Sequence, residues 1–149
     1  MRKALIVGIN DYPNCPLFGC INDARSVAEI LSNHEDGKKN FDVNLKENVE
    51  RKGELLGFID SLFRGNPEVA LFYFSGHGYI DELGGYIVTP DFGPHDMGVS
   101  MCDILRYANE SKAENKVIIL DCCHAGAMGN MTFGEYCWEW CDYFDFESR

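Results

Sequence analysis

No apolar run in the chain approaches the roughly 20 residues that span a bilayer. The start, "MRKALIVGINDYP", has two basic residues and a short apolar run, but no small-residue cleavage site follows it. It therefore reads as a first strand and not as a signal peptide. No C-x-x-C pair occurs among Cys15, Cys20, Cys102, Cys122, Cys123, Cys137 and Cys141. The i, i+4 and adjacent spacings suit zinc poorly, so no metal site is expected. An odd number of cysteines without a leader argues against a disulfide framework, and free thiols in the reducing cytoplasm are expected. Basic residues are few: 13 Lys and Arg stand against 24 Asp and Glu, a net charge of −11. That argues against nucleic acid and anionic membranes as partners and weakly favours a cationic one, although solubility accounts for the charge equally well. No Gly-rich phosphate cradle follows the first strand, no internal repeat is visible and no linker divides the chain.

The 149 residues suit a single domain with a real core. "KALIVGI" (3–9), "VALFYFS" (69–75) and "KVIILD" (116–121) are continuous apolar runs, as buried strands are. "FDVNLKE" (41–47) alternates, as a half-buried strand does. Ala24, Val27, Ala28 and Leu31 share one helical face, and Asn22 or Asp23 is expected to open that helix. Leu55, Phe58, Ile59 and Leu62 mark a second helix over 49–64, broken by Gly65-Asn66-Pro67. "DELGG" with "YIVTPDF" predicts a small hairpin. Ser100 with Asp103 resembles a capping box, ahead of a third helix face at Met101, Ile104, Leu105 and Ala108. Strands alternating with helices predict a mostly parallel sheet covered on both faces.

In such a sheet, ligands gather outside the carboxyl ends of the strands. "NDYP", "SGHG" and "DCCHAG" follow strands there. His77 lies between two glycines, which permit close approach of another backbone or a substrate. A cysteine nucleophile needs a base or ion-pair partner, which His77 can supply. His124 is adjacent to Cys123, and neighbouring side chains on an extended backbone point apart, so it is the poorer base. By the same alternation only one of Cys122 and Cys123 faces the cleft.

"LFGCINDA", "YFSGHG" and "DCCHAG", in that order, resemble the caspase-like fold of clan CD, family C14, and most closely the metacaspases and their bacterial relatives. The resemblance implies a caspase-like three-layer α/β sandwich, with four main parallel strands here plus the small hairpin. It implies His77 as general acid/base and Cys123 as nucleophile, with the backbone N–H groups of Gly78 and Cys123 as oxyanion hole. Cys122 becomes a buried structural thiol. Asp23, Asp121, Cys20 and Ser75 would line the S1 pocket. Two carboxylates in a partly buried slot are costly without a cation, so Arg or Lys is expected at P1 of protein substrates.

Many metacaspases bind calcium through clustered acids. Here "GVSMCDIL" keeps only Asp103, with Asp81, Glu82 and Asp91 elsewhere, against the about six to eight oxygens such a cation takes. No cofactor and no strong calcium dependence are expected. The resemblance also implies six strands, the last two from a small subunit, p10, of the same gene product. Residues 1–149 are therefore expected to be the large subunit, p20, with 124–149 an irregular activation segment leading to p10. Arg149 is the expected self-processing site, and a regulatory domain or protein is a further expected partner. The alternative function is a catalytically idle scaffold that binds partners.

Overall fold

The computed structural model describes residues 1–122. Cys123, His124, the 124–149 segment and Arg149 lie outside the described residues. The chain runs β1 (Arg2–Gly8), α1 (Cys20–Ser32), β2 (Asp42–Glu47), α2 (Lys52–Phe63), β3 (Val69–Ser75), β4 (Gly78–Asp81), β5 (Gly84–Gly93), β6 (Asp96–Ser100), α3 (Met101–Glu110) and β7 (Asn115–Asp121). Four strands form an all-parallel sheet in the order β2-β1-β3-β7, and β4-β5-β6 form a separate antiparallel sheet. This is the expected α/β architecture, a parallel sheet with helices on both faces and a small antiparallel addition.

Alternation along the central strands builds two cores. Leu5, Val7 and Ile9 of the β1 stretch join Ala70, Phe72 and Phe74 of β3 on the face covered by α2 and α3. Leu55, Ile59 and Leu62 of α2, with Met101, Ile104 and Ala108 of α3, complete that core. Each such side chain contributes roughly 1.5–3 kcal/mol through burial. Ala4 and Ile6 point the other way and meet Leu71, Tyr73, Ala24 and Ala28 beneath α1. The small residues there let α1 lie close to the sheet. Gly8 marks the limit: a Cβ at this position would sit 2.6 Å from the Cys20 carbonyl and 2.8 Å from the Ala24 Cβ.

Three expectations need correction. Helix α1 begins at Cys20, with Gly19 as its N-cap and no local side-chain cap, so neither Asn22 nor Asp23 opens it. Its first free N–H groups are capped from a distance by Asn10, whose Oδ1 accepts from the N–H of Cys20 at 3.0 Å and of Ile21 at 3.3 Å. The predicted hairpin is a three-stranded sheet, because "DMGVS" adds β6. Gly98 permits this, with φ +140° and a backbone so close to the Ile87 carbonyl that no Cβ fits. Finally, β7 is not a buried strand. It is the sheet's edge among the described residues, and Val117 and Ile119 are 37% and 43% exposed while Ile118 and Leu120 pack on the core. Ser100 does cap α3, its Oγ accepting from the Cys102 N–H at 3.1 Å. Among the described residues, no helix is long and apolar enough to cross a membrane.

Gly8→Ala is expected to cost about 1–3 kcal/mol, because a backbone carbonyl has to move to admit the methyl group. Urea unfolding checks this: the midpoint should fall, and an unchanged midpoint would show that α1 is not seated this closely on β1.

Candidate active site

The loop between β1 and α1 is folded around Asn10. Its carbonyl accepts from the N–H of Tyr12 at 3.0 Å and of Leu17 at 2.8 Å. Its own N–H, and that of Asp11, donate to Asn48 Oδ1 at the end of β2, at 2.9 and 3.1 Å. This arrangement carries two groups to the carboxyl end of β3: the Tyr12 side chain and the Cys15 carbonyl.

His77 lies between β3 and β4 and is half-buried. Its Nε2 is 2.8 Å from the Cys15 carbonyl. A carbonyl only accepts, so Nε2 carries the proton, and in the neutral ring Nδ1 keeps the lone pair. The Tyr12 ring stands edge-on to the imidazole, with centroids 4.5 Å apart. The Tyr12 hydroxyl accepts from the His77 backbone N–H at 3.1 Å and donates to the Val88 carbonyl at 2.9 Å. Burial pushes this phenol up, which keeps it a donor. Gly76 makes the contact possible, since a Cβ there would lie 2.5 Å from the Tyr12 hydroxyl.

The Val88 N–H donates to the His77 carbonyl at 2.9 Å. Gly78 is the register partner of Ile87 in the antiparallel β4–β5 pair. Together these make Gly78–Ile87 a non-hydrogen-bonded pair, so the Gly78 N–H points away from β5.

On the α1 side of the sheet, the four residues expected to line a cation pocket come together. Ser75 and Asp121 are register partners at the ends of β3 and β7. Ser75 is 2% exposed, and its side chain acts on the Cys20 thiol by favouring the thiolate, against the effect of burial. Burial pushes that thiol up, and the charges of Asp23 and Asp121 push it further. The Cys20 thiol therefore holds its proton more tightly than a free thiol does. Asp23 sits in the first turn of α1. Both carboxylates are exposed while Ser75 is buried, which corrects the expectation of two carboxylates in a partly buried slot. Among the described residues, no three His, Cys, Asp or Glu side chains are grouped to hold a metal ion. Asp91 accepts from the Lys52 N–H and Thr89 Oγ1, Asp81 from the Leu83 N–H, and Asp103 pairs with Arg106. Cys122 is half-buried against the α2–α3 core, with Ile118 and Leu120.

Sequence reasoning misses Tyr12, Tyr73 and the Cys15 carbonyl. Tyr73 donates to Asp121 Oδ2 at 3.1 Å, and strand alternation from Ser75 places it on that face. Tyr12 lies in "NDYP", which shows only as a polar cluster at a strand end. A backbone carbonyl has no residue signature. An open cavity of about 330 Å³, lined by Asp11, Asn48, Glu50, Arg51, Pro90 and Asp91, holds none of His77, Cys20, Asp23, Ser75 and Asp121.

These features define an α/β domain whose histidine and two carboxylates stand at the carboxyl edge of a parallel sheet. The caspase domain model, peptidase C14, matches residues 1–137, and the protein belongs to that family of cysteine peptidases. No curated protein matches the sequence. Membership implies protein substrates.

Tyr12→Phe is expected to cost about 1–3 kcal/mol, because it strips the Val88 carbonyl of its donor and the His77 N–H of its acceptor. Amide hydrogen exchange should quicken at His77 in this variant. Unaltered exchange there would show that Tyr12 does not anchor the histidine.

Proposed function

We infer that the protein is a cysteine endopeptidase that cleaves after Arg or Lys, with Cys123 as nucleophile and His77 as its acid/base partner. The observation that carries this reading is the β3–β7 register. Ser75 and Asp121 pair as the last residues of neighbouring parallel strands, and His77 and Cys123 each follow by two residues. The Nε2–H of His77 is held by the Cys15 carbonyl, so Nδ1 is the nitrogen available to the Cys123 thiol.

The thiol proton passes to Nδ1 and the thiolate attacks the scissile carbonyl. The Gly78 N–H, turned away from β5, and the Cys123 N–H are the oxyanion donors in this scheme. The imidazolium then gives its proton to the leaving amine. Water, deprotonated by the same nitrogen, hydrolyses the thioester and restores the thiol.

Two carboxylates from different elements, Asp23 and Asp121, flank the buried Ser75. They favour a cation at P1 and repel an acidic side chain. The exposed Val117 and Ile119, and the place of β7 at the sheet's edge among the described residues, support a further partner, a p10 small subunit that extends the sheet.

Fluorogenic peptides ending in Arg or in Asp, given to the active full-length enzyme, test the reading. The Arg peptide should be turned over with a kcat/KM more than about 100-fold higher. Cys123→Ala should abolish turnover. Preference for Asp overturns the S1 assignment, and turnover that survives Cys123→Ala overturns the nucleophile.

A further inference from the structure

Asp121 ends β7, the edge strand among the described residues, and its side chain is exposed. A short carboxylate in that position turns freely about two side-chain bonds unless something holds it. Among the described residues, the hydrogen-bond donor to this carboxylate is the hydroxyl of Tyr73, 3.1 Å from Oδ2. Tyr73 is itself fixed. It is 6% exposed, and its ring packs with Ala4, Ile6, Ala24, Ala28 and Leu71 between sheet and α1. Burial first, then the hydrogen bond and charge of Asp121, push its phenol up to about 12, so the hydroxyl keeps its proton. Tyr73 and Asp121 stand on adjacent strands, so the rigid β3 side chain sets where the carboxylate of the β7 edge points.

We propose that Tyr73 is a positioning residue that fixes the Asp121 carboxylate for a planar guanidinium and so sets a preference for Arg over Lys at P1. This inference rests on the reading of Asp23 and Asp121 as the cation-binding pair. A fixed carboxylate rewards the guanidinium, whose donors have set directions and meet two oxygens at once. An ammonium is a point charge with rotatable donors, and it is served about as well by a carboxylate that wanders. With one lone pair of Oδ2 taken by the Tyr73 hydroxyl, Asp121 still offers Oδ1 and the remaining lone pair of Oδ2 to the substrate.

The test compares Arg-ending and Lys-ending fluorogenic peptides on the active full-length enzyme. Tyr73→Phe keeps the ring and its packing and removes only the donor. KM for the Arg peptide should rise about three- to tenfold, the net effect of one hydrogen bond, while kcat stays within about twofold. KM for the Lys peptide should move less, so the Arg-over-Lys ratio of kcat/KM falls. Asp121→Glu leaves the core untouched and carries the carboxylate one methylene beyond the place the hydroxyl holds it; it should lower the same ratio. Equal losses on both peptides, or a fall in kcat alone, overturn the inference, because a merely structural tyrosine would act that way. Asp121→Asn separates the two levels. If it leaves KM for the Arg peptide unchanged, the pocket reading itself fails. If it raises that KM while Tyr73→Phe and Asp121→Glu leave the Arg-over-Lys ratio as it was, the pocket stands and only the role of Tyr73 falls.

Discussion

The site depends on how one asparagine spends its polar groups. Asn10 leaves the end of β1 and has to turn the chain toward α1 across the top of the sheet. Its side-chain oxygen caps the first N–H groups of α1, its carbonyl closes the loop onto Tyr12 and Leu17, and its N–H is pinned to Asn48 beyond β2. A helix start normally finds such a cap within its own sequence. Here the cap comes from the preceding strand end, so the position of α1, and with it Cys20 and Asp23, is tied to the same loop that presents Tyr12 and the Cys15 carbonyl to His77. The histidine and one of the two carboxylates, Asp23, thus share one anchor, while Asp121 is carried by β7.

Around that anchor the sheet separates two tasks by face. Tyr73, Ser75 and Asp121 look toward α1, where charge and a buried hydroxyl collect. Phe72, Phe74 and Leu120 look toward α2 and α3, where packing density holds the strand ends still. Because side chains alternate, no residue has to serve both purposes. Gly76 and Gly8, like Gly98 in the small sheet, are places where another backbone or a ring comes too close for any side chain, one under the Tyr12 hydroxyl and one under the start of α1.

The parts of this arrangement that sequence makes legible are those with a local signature. The runs "KALIVGI" and "VALFYFS" are apolar throughout because central strands of a parallel sheet are covered on both faces. "KVIILD" has the same composition yet lies at the edge, since an apolar run does not say whether the layer that covers it belongs to the same segment. The start of α1 is not legible near Cys20 because its cap stands at Asn10. Strand β6 is hidden by Gly98, which reads as a turn residue while serving a close backbone pairing. His77 is legible from its place between two glycines at a strand end, whereas the four residues proposed for the cation pocket are legible only through the motifs that carry the family resemblance. Tyr73 follows from alternation once Ser75 is placed, whereas the Cys15 carbonyl, the group that orients the imidazole, leaves no mark in the sequence.

The orientation of that imidazole is the central claim, and its tautomer reports it most directly. Nitrogen NMR of the protein labelled at histidine, recorded at a pH where the His77 ring is neutral, identifies which ring nitrogen bears the proton. The geometry predicts a proton on Nε2, directed at the Cys15 carbonyl, with Nδ1 bare. A proton on Nδ1 with Nε2 bare would contradict the account, because the nitrogen assigned to the nucleophile would then be the wrong one.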